Sequence, residues 1–187
     1  LNADDVLVIK GLDLQVTFTK GAGSSLRVTG VDNTSQAGAY RAERKGHQIF
    51  IIMNEYDSKR DWKSILAQKS LKRKVIDIRG PSVPVEVHAR EGQISFNQWQ
   101  NKAEVHLVQG KINANQSRDL TFTMQKGEVN LSDMQGSLKA RATQGQMTFK
   151  NMTADGEVHL QSGQMVLEKA KGNWSINTQN AAVKVLQ

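Results

Sequence analysis

From Gly92 onward the chain restarts repeatedly with a glycine or polar turn followed by two apolar residues at spacing two. The pairs are Ile94/Phe96, Val105/Leu107, Ile112/Ala114, Leu120/Phe122, Val129/Leu131, Leu138/Ala140, Met147/Phe149, Val158/Leu160, Met165/Leu167, Trp174/Ile176 and Val183/Val185. Alternate pairs begin at 94, 112, 129, 147, 165 and 183, in steps of 18, 17, 18, 18 and 18. The interleaved series begins at 105, 120, 138, 158 and 174, in steps of 15, 18, 20 and 16. Alternation at period two marks strands with one buried and one wet face. Gly110, Gly127, Gly136, Gly145, Gly156, Gly163 and Gly172 precede these strands, where the chain has to turn. The repeat predicts an all-β parallel solenoid with about 18 residues and two main strands per coil. No coil buries its apolar face alone, so stability comes from neighbouring coils. An antiparallel meander of hairpin-linked strands is the competing reading. The steady step and the lack of Asn-Gly turn signals favour the solenoid.

Before Gly80 the pattern changes. Leu12, Leu14, Val16 and Phe18 alternate, and Lys20 to Ser25 turns into Leu26 and Val28, which reads as a hairpin. A further strand is expected at Gln48 to Met53. These strands are expected to start the sheet and cover the N-terminal end of the solenoid. Residues 1–80 thus form a hairpin-rich N-terminal β part, and 81–187 the solenoid, continuous with it in one elongated domain. Trp62, Ile65 and Leu66 suggest a short amphipathic helix capped by Ser58 or Asp61.

The units Gly127-Glu-Val-Asn-Leu, Gly136-Ser-Leu-Lys-Ala, Gly145-Gln-Met-Thr-Phe, Gly156-Glu-Val-His-Leu and Gly163-Gln-Met-Val-Leu resemble the bacterial putative-adhesin β-helix family, a domain of unknown function. The stretch Pro81 to Gly92 is similar to that family's proline-marked entry strand. The resemblance covers the C-terminal half well and the N-terminal half loosely. It implies a right-handed parallel β-helix and carries no catalytic signature.

Composition narrows the function classes. The chain of 187 residues has no Cys, which excludes a disulfide-stapled scaffold, cysteine-ligated metal sites and thiol enzymes. The longest apolar run, Ile49 to Met53, is far shorter than the roughly 20 residues of a membrane-spanning helix. The formal charge is +7, of which residues 55–80 hold +4, from eight Lys/Arg against four Asp/Glu. Within this segment and beside it in charge, Lys59, Arg60, Trp62, Lys63, Lys72, Arg73 and Lys74 are candidate contacts for an acidic glycan or anionic lipid, against the plainer reading of a solvated loop. Outside it the charge is nearly balanced, which argues against nucleic acid.

Other candidate chemistry is weaker. His106 and His159, in two copies of Glu-Val-His-Leu, lie three coils apart on one outward ladder, roughly 14 Å at about 4.8 Å per step. One zinc ion cannot bridge them. His88, beside Arg90, and His47 read as surface residues. A glycosidase needs two close carboxylates. The outward row Glu104, Asp119, Ser137, Glu157 makes Glu104 and Asp119 the best pair, with no flanking Arg, Tyr or Trp cluster to hold a sugar. The segment Gly21-Ala-Gly23-Ser-Ser lacks a phosphate-loop ending, and there is no Gly-x-Ser-x-Gly elbow. Sequons begin at Asn33, Asn115, Asn151 and Asn173. A polar ladder of Gln93, Lys111, Glu128, Gln146 and Gln164, with Ser95, Asn113, Asn130 and Thr148 beside it, could hydrogen-bond a polymer such as a glycan.

These features predict a non-enzymatic, cofactor-free and metal-free binding or scaffolding module of the envelope or cell surface. The alternatives are a carbohydrate-active enzyme on the Glu104/Asp119 face and an envelope lipid- or glycan-binding protein. The lack of Cys leans toward export. The repeat is in phase through Val185, which predicts self-association through the C-terminal end of the solenoid. Val129, in the steadier column, should tolerate no charge. Val129→Asp is expected to cost several kcal/mol and abolish the cooperative thermal transition followed by circular dichroism.

Overall fold

The computed structural model describes residues 4–31, 40–53 and 74–187. Among them every regular element is a strand: β1 (Val6–Lys20), β2 (Arg27–Val31), β3 (Tyr40–Lys45), β4 (Gln48–Met53), β5 (Lys74–Gly80), β6 (Val85–Asn97), β7 (Ala103–Asn115), β8 (Leu120–Ser132), β9 (Gln135–Lys171) and β10 (Trp174–Leu186). They form one sheet in the order β10-β9-β8-β7-β6-β1-β4-β3, with β5 paired to β1 and β2 to β5. From β6 onward all pairing is parallel. Val85 pairs with Ala103, Ala103 with Leu120, Leu120 with Leu138, and Gly156 with Trp174, steps of 18, 17, 18 and 18. β9 serves two rungs, pairing with β8 through 138–150 and with β10 through 156–168. This all-β, mostly parallel sheet fits a β-solenoid or a similar stacked architecture. Ile112 lies parallel between Ile94 and Val129, which excludes the meander. Among the described residues no helix is long and apolar enough to cross a membrane.

Each rung is one long strand with a corner, where two short strands were expected. The pairing passes over one residue per rung, Val108 opposite Gln125 for example, between Leu107↔Met124 and Gln109↔Lys126. One extra residue at a corner reverses the alternation, as in a bulge. Ala103, Val105 and Leu107 before it, and Ile112 and Ala114 after it, therefore face the same core. At the corner the ladder runs Gly92, Gly110, Gly127, Gly145, and Gly163 lies against Gly145. A Cβ at Gly110 would stand 1.9 Å from the carbonyl oxygen of Gly92, and one at Gly163 1.9 Å from that of Gly145. These glycines thus lie inside strands, not before them. Close backbone approach, more than a turn, is what requires them.

The steadier column holds. Ile94, Ile112, Val129 and Met147 form one buried ladder, and Met165 pairs with Val183. Val183 itself is 40% exposed, because it stands on the outermost strand β10. The interleaved series, expected to stack as a facing column of Val105, Leu120, Leu138, Val158 and Trp174, needs correction. Val105 pairs with Phe122, and Leu120 belongs to the ladder Val85, Ala103, Leu120, Leu138. The uneven steps of 15, 18, 20 and 16 came from mixing two adjacent ladders. The small residues Ala103 and Gly156, which the apolar pairs passed over, occupy the missing places. Gly156 makes room for Trp174, whose ring would lie 2.2 Å from a Cβ there. Trp174 packs half-buried against the core and is not a full core residue.

A second periodic feature closes each rung. Gln98, Gln116, Asp133, Asn151 and Lys169 all have positive φ, between 51° and 57°. Each is followed by a residue turned into the core: Trp99, Ser117, Met134 and Met152 are buried, and Ala170 packs against them. Trp99 donates its indole N–H to the Val83 carbonyl at 3.0 Å.

The N-terminal part is threaded differently from the expected hairpin. β1 is parallel to β6 along one edge, and to β4 and then β5 along the other. With both edges filled, β1 has no free N–H and C=O row for β2, which pairs antiparallel with the far edge of β5. The hairpin is instead β3/β4, so the strand at Gln48 to Met53 is found as expected. β2 and β3 give the sheet an antiparallel outer edge at this end. Fully buried Asp5 accepts a hydrogen bond from Arg44 Nη2 at 2.7 Å, tying the hairpin to the start of β1.

Two substitutions test this anatomy by urea denaturation. Gly110→Ala forces a methyl group onto backbone and should lose about 2–3 kcal/mol. Lys169→Gly relieves left-handed backbone at an exposed position near the end of β9 and should gain about 0.5 kcal/mol.

Candidate functional site

Because the pairing is parallel and in register, outward side chains form rows across the strands. Before the corner, one row carries Glu86, Glu104, Thr121 and Lys139, with Glu157 and Ser175 beyond. The adjacent row carries His88, His106, Thr123 and Arg141, then His159 and Asn177. After the corner, Gln93, Lys111, Glu128 and Gln146 form the expected polar ladder, with Ser95, Asn113, Asn130 and Thr148 beside it. Neighbouring members bond to each other: Lys111 Nζ to Glu128 at 3.0 Å and Asn130 Nδ2 to Glu128 at 2.6 Å. The Asn130 and Lys111 hydrogen bonds hold the Glu128 carboxyl below its ordinary value of 4.5.

Two grooves follow these rows. The larger, about 650 Å³, runs along the corner over Gly110, Gly127, Gly145 and Gly163. Missing side chains make its floor. Gln109, Lys126 and Gln144 stand on one side, and Lys111, Glu128 and Gln146 on the other. The second, about 560 Å³, lies before the corner between Thr123, Arg141 and His159 and, opposite them, Thr143, Gln161 and Gln179.

The histidines are paired in a way the sequence reading missed. His88 sits beside His106, with rings stacked at 4.8 Å centroid distance and 10° apart. Three of the four histidines bond the glutamate two residues earlier: His88 to Glu86, His106 to Glu104 at 3.0 Å, and His159 to Glu157 at 3.0 Å. Applying the 18-residue step to His106 would have found His88, and the word Glu-Val-His occurs three times. His106 and His159 do share a row, three rungs apart. Among the described residues, no three His, Asp or Glu are grouped so as to hold a metal ion. The His159 hydrogen bond is also the main cause that lowers the Glu157 carboxyl below 4.5.

The expected carboxylate pair separates. Glu104 stands opposite Thr121, while Asp119 precedes β8 and accepts hydrogen bonds from the Ser137 N–H and hydroxyl, both at 2.9 Å. Asp119 is consumed in closing the next turn. One arginine flanks the outward row: Arg141 Nη2 lies 3.9 Å from Glu157. Lys59, Arg60, Trp62, Lys63, Lys72 and Arg73, with the helix expected around Trp62, fall outside the described residues. Lys74 is described and opens β5, half-buried opposite Leu14. The sequon residues Asn115, Asn151 and Asn173 are exposed, and Asn33 lies outside the described residues.

No family model and no curated protein matches this chain. The resemblance to the putative-adhesin β-helix family is therefore not carried by a family model. Among solved structures, one described as a putative cell adhesion protein from Clostridium sporogenes ATCC 15579 is similar at 11% identity and a TM-score of 0.46, covering 99% of this chain and 93% of that chain.

The Glu128 contacts generate a pH prediction. A carboxyl whose folded value is depressed adds stability above its unfolded value and loses it as pH falls through the lowered folded value. Glu128→Gln should therefore lower the melting temperature slightly at pH 6, by no more than an exposed pair allows. The difference from the wild type should shrink as pH falls below 4.5 and vanish only once the pH is below the lowered folded value.

Proposed function

We propose that this chain is a non-enzymatic binding or scaffolding module of the putative-adhesin type, exported to the envelope or cell surface. In this reading the sheet is a right-handed parallel β-solenoid whose outer grooves contact an extended polar polymer, a glycan. The observation that carries the reading is the corner groove: a floor of glycine backbone, walled on both sides by amides and charged groups repeated at every rung. A polymer lying across the strands meets equivalent donors and acceptors every ~4.8 Å, a rise comparable with one sugar of an extended chain. Amides both donate and accept, which suits hydroxyl groups. The enzyme alternative loses its carboxylate pair to the register. The neighbours Glu86 and Glu104 are each bound by a histidine, and Glu104 also lies 3.7 Å from Lys102, so neither stands in the apolar setting that raises a carboxyl into a general acid.

Affinity electrophoresis through gels containing soluble linear polysaccharides tests the reading. Retardation by at least one polymer is expected, without release of reducing ends. Gln144→Ala combined with Gln146→Ala should weaken retardation by roughly tenfold, from the loss of one or two hydrogen bonds. A protein retarded by none of them, or one that shortens the polymer, would overturn the proposal.

A further inference from the structure

The second groove differs from the corner groove in having no Asp or Glu among its lining residues. Its inner wall is the row Thr123, Arg141, His159 and Asn177, in which no carboxylate stands. Three steps of ~4.8 Å make that row about 14 Å long, enough for a few sugars in extended form. The opposite wall, Thr143, Gln161 and Gln179, offers hydroxyl and amide groups. The cations Lys139 and Arg141 share one rung, with Thr121 and Thr123 on the rung before and Glu157 and His159 on the rung after. Arg141 is 70% exposed, and its 3.9 Å approach to Glu157 is too long for a hydrogen bond. Glu157 takes its hydrogen bond from His159 instead. The guanidinium fork is thereby left to address a ligand in the groove, and a planar fork matches a carboxylate through two parallel bonds.

Resting on the polymer-contact reading above, we propose that this groove is a subsite for a linear glycan bearing carboxylates, with Arg141 as the partner of one carboxylate. Threonine hydroxyls and amides stand beside the apolar Met124, Ala142 and Leu160 along the groove, with one anion-matching fork among them. A nucleic acid is a poor match. It asks for a track of cations and for aromatic faces on which bases stack, and this groove offers one guanidinium and no Phe, Tyr or Trp.

The test uses the full chain and four polymers in affinity electrophoresis: polygalacturonate, its fully methyl-esterified form, alginate and dextran sulfate. Polygalacturonate or alginate should be bound at least tenfold more tightly than the ester, whose backbone is the same with the charge masked. Arg141→Gln should lower affinity for the acidic polymer by about tenfold, the scale of a charged hydrogen bond, and leave binding of the ester unchanged. Arg141→Lys should restore only part, because an ammonium keeps the charge without the fork. Circular dichroism of each variant checks that the exposed substitution leaves the fold intact. Equal binding of acid and ester, unchanged by Arg141→Gln, would overturn this subsite while leaving polymer contact standing. Preference for dextran sulfate over both carboxylated polymers would likewise overturn the carboxylate assignment. Binding of none of the four would remove both readings.

Discussion

Backbone contact between glycines of successive rungs is the constraint on which the rest of the structure depends. At the corner, Gly110 and Gly163 lie so close to the preceding rung that a single methyl group would meet a carbonyl oxygen at 1.9 Å. A slip of one residue in any rung would bring a side chain into that space. It would also send the alternating apolar residues to the wet face. The glycine ladder and the apolar columns therefore enforce the same register by different means, one steric and one hydrophobic. The step of 17 between β7 and β8 keeps glycine against glycine, and the missing residue is absorbed elsewhere in that rung.

The outer surface inherits its order from this register. Rows of like side chains arise because equivalent positions are stacked, so any preference at one position is multiplied along the sheet. The corner groove is the direct counterpart of the steric rule, since positions that cannot carry a side chain inside the ladder also carry none outside it. The second groove arises where the bulge residues and the row before them stand apart. The molecule thus presents two parallel tracks, one walled by amides, lysines and a glutamate and one carrying the exposed guanidinium of Arg141.

The two ends of the sheet are built differently. At the β3/β2 end, antiparallel strands close the stack, and the buried carboxylate of Asp5 is compensated by Arg44. A buried charge without such a partner would be costly. At the β10 end, Val183 and Val185 are 40% and 60% exposed. Their ladder positions are buried in every earlier rung, so exposure there reflects place in the stack and not the nature of the residue.

The sequence alone determined the strand content, the steady ladder of Ile94, Ile112, Val129 and Met147, the polar rows after the corner, and the shared row of His106 and His159. All of these follow from an 18-residue step acting on side chains that differ clearly in polarity. Periodicity could not show where small residues hold a place, so Ala103 and Gly156 were passed over and the facing column was misread. Nor could it show threading: β1 is filled on both edges by strands distant in the chain, which no local pattern records. The same holds for the site. Asp119 resembled a catalytic partner until the turn claimed its hydrogen bonds, and Arg141 gained its position only from stacking. Pairing across distant segments decided these features, because hydrogen-bond edges and close backbone contacts belong to the assembled sheet and not to any one strand.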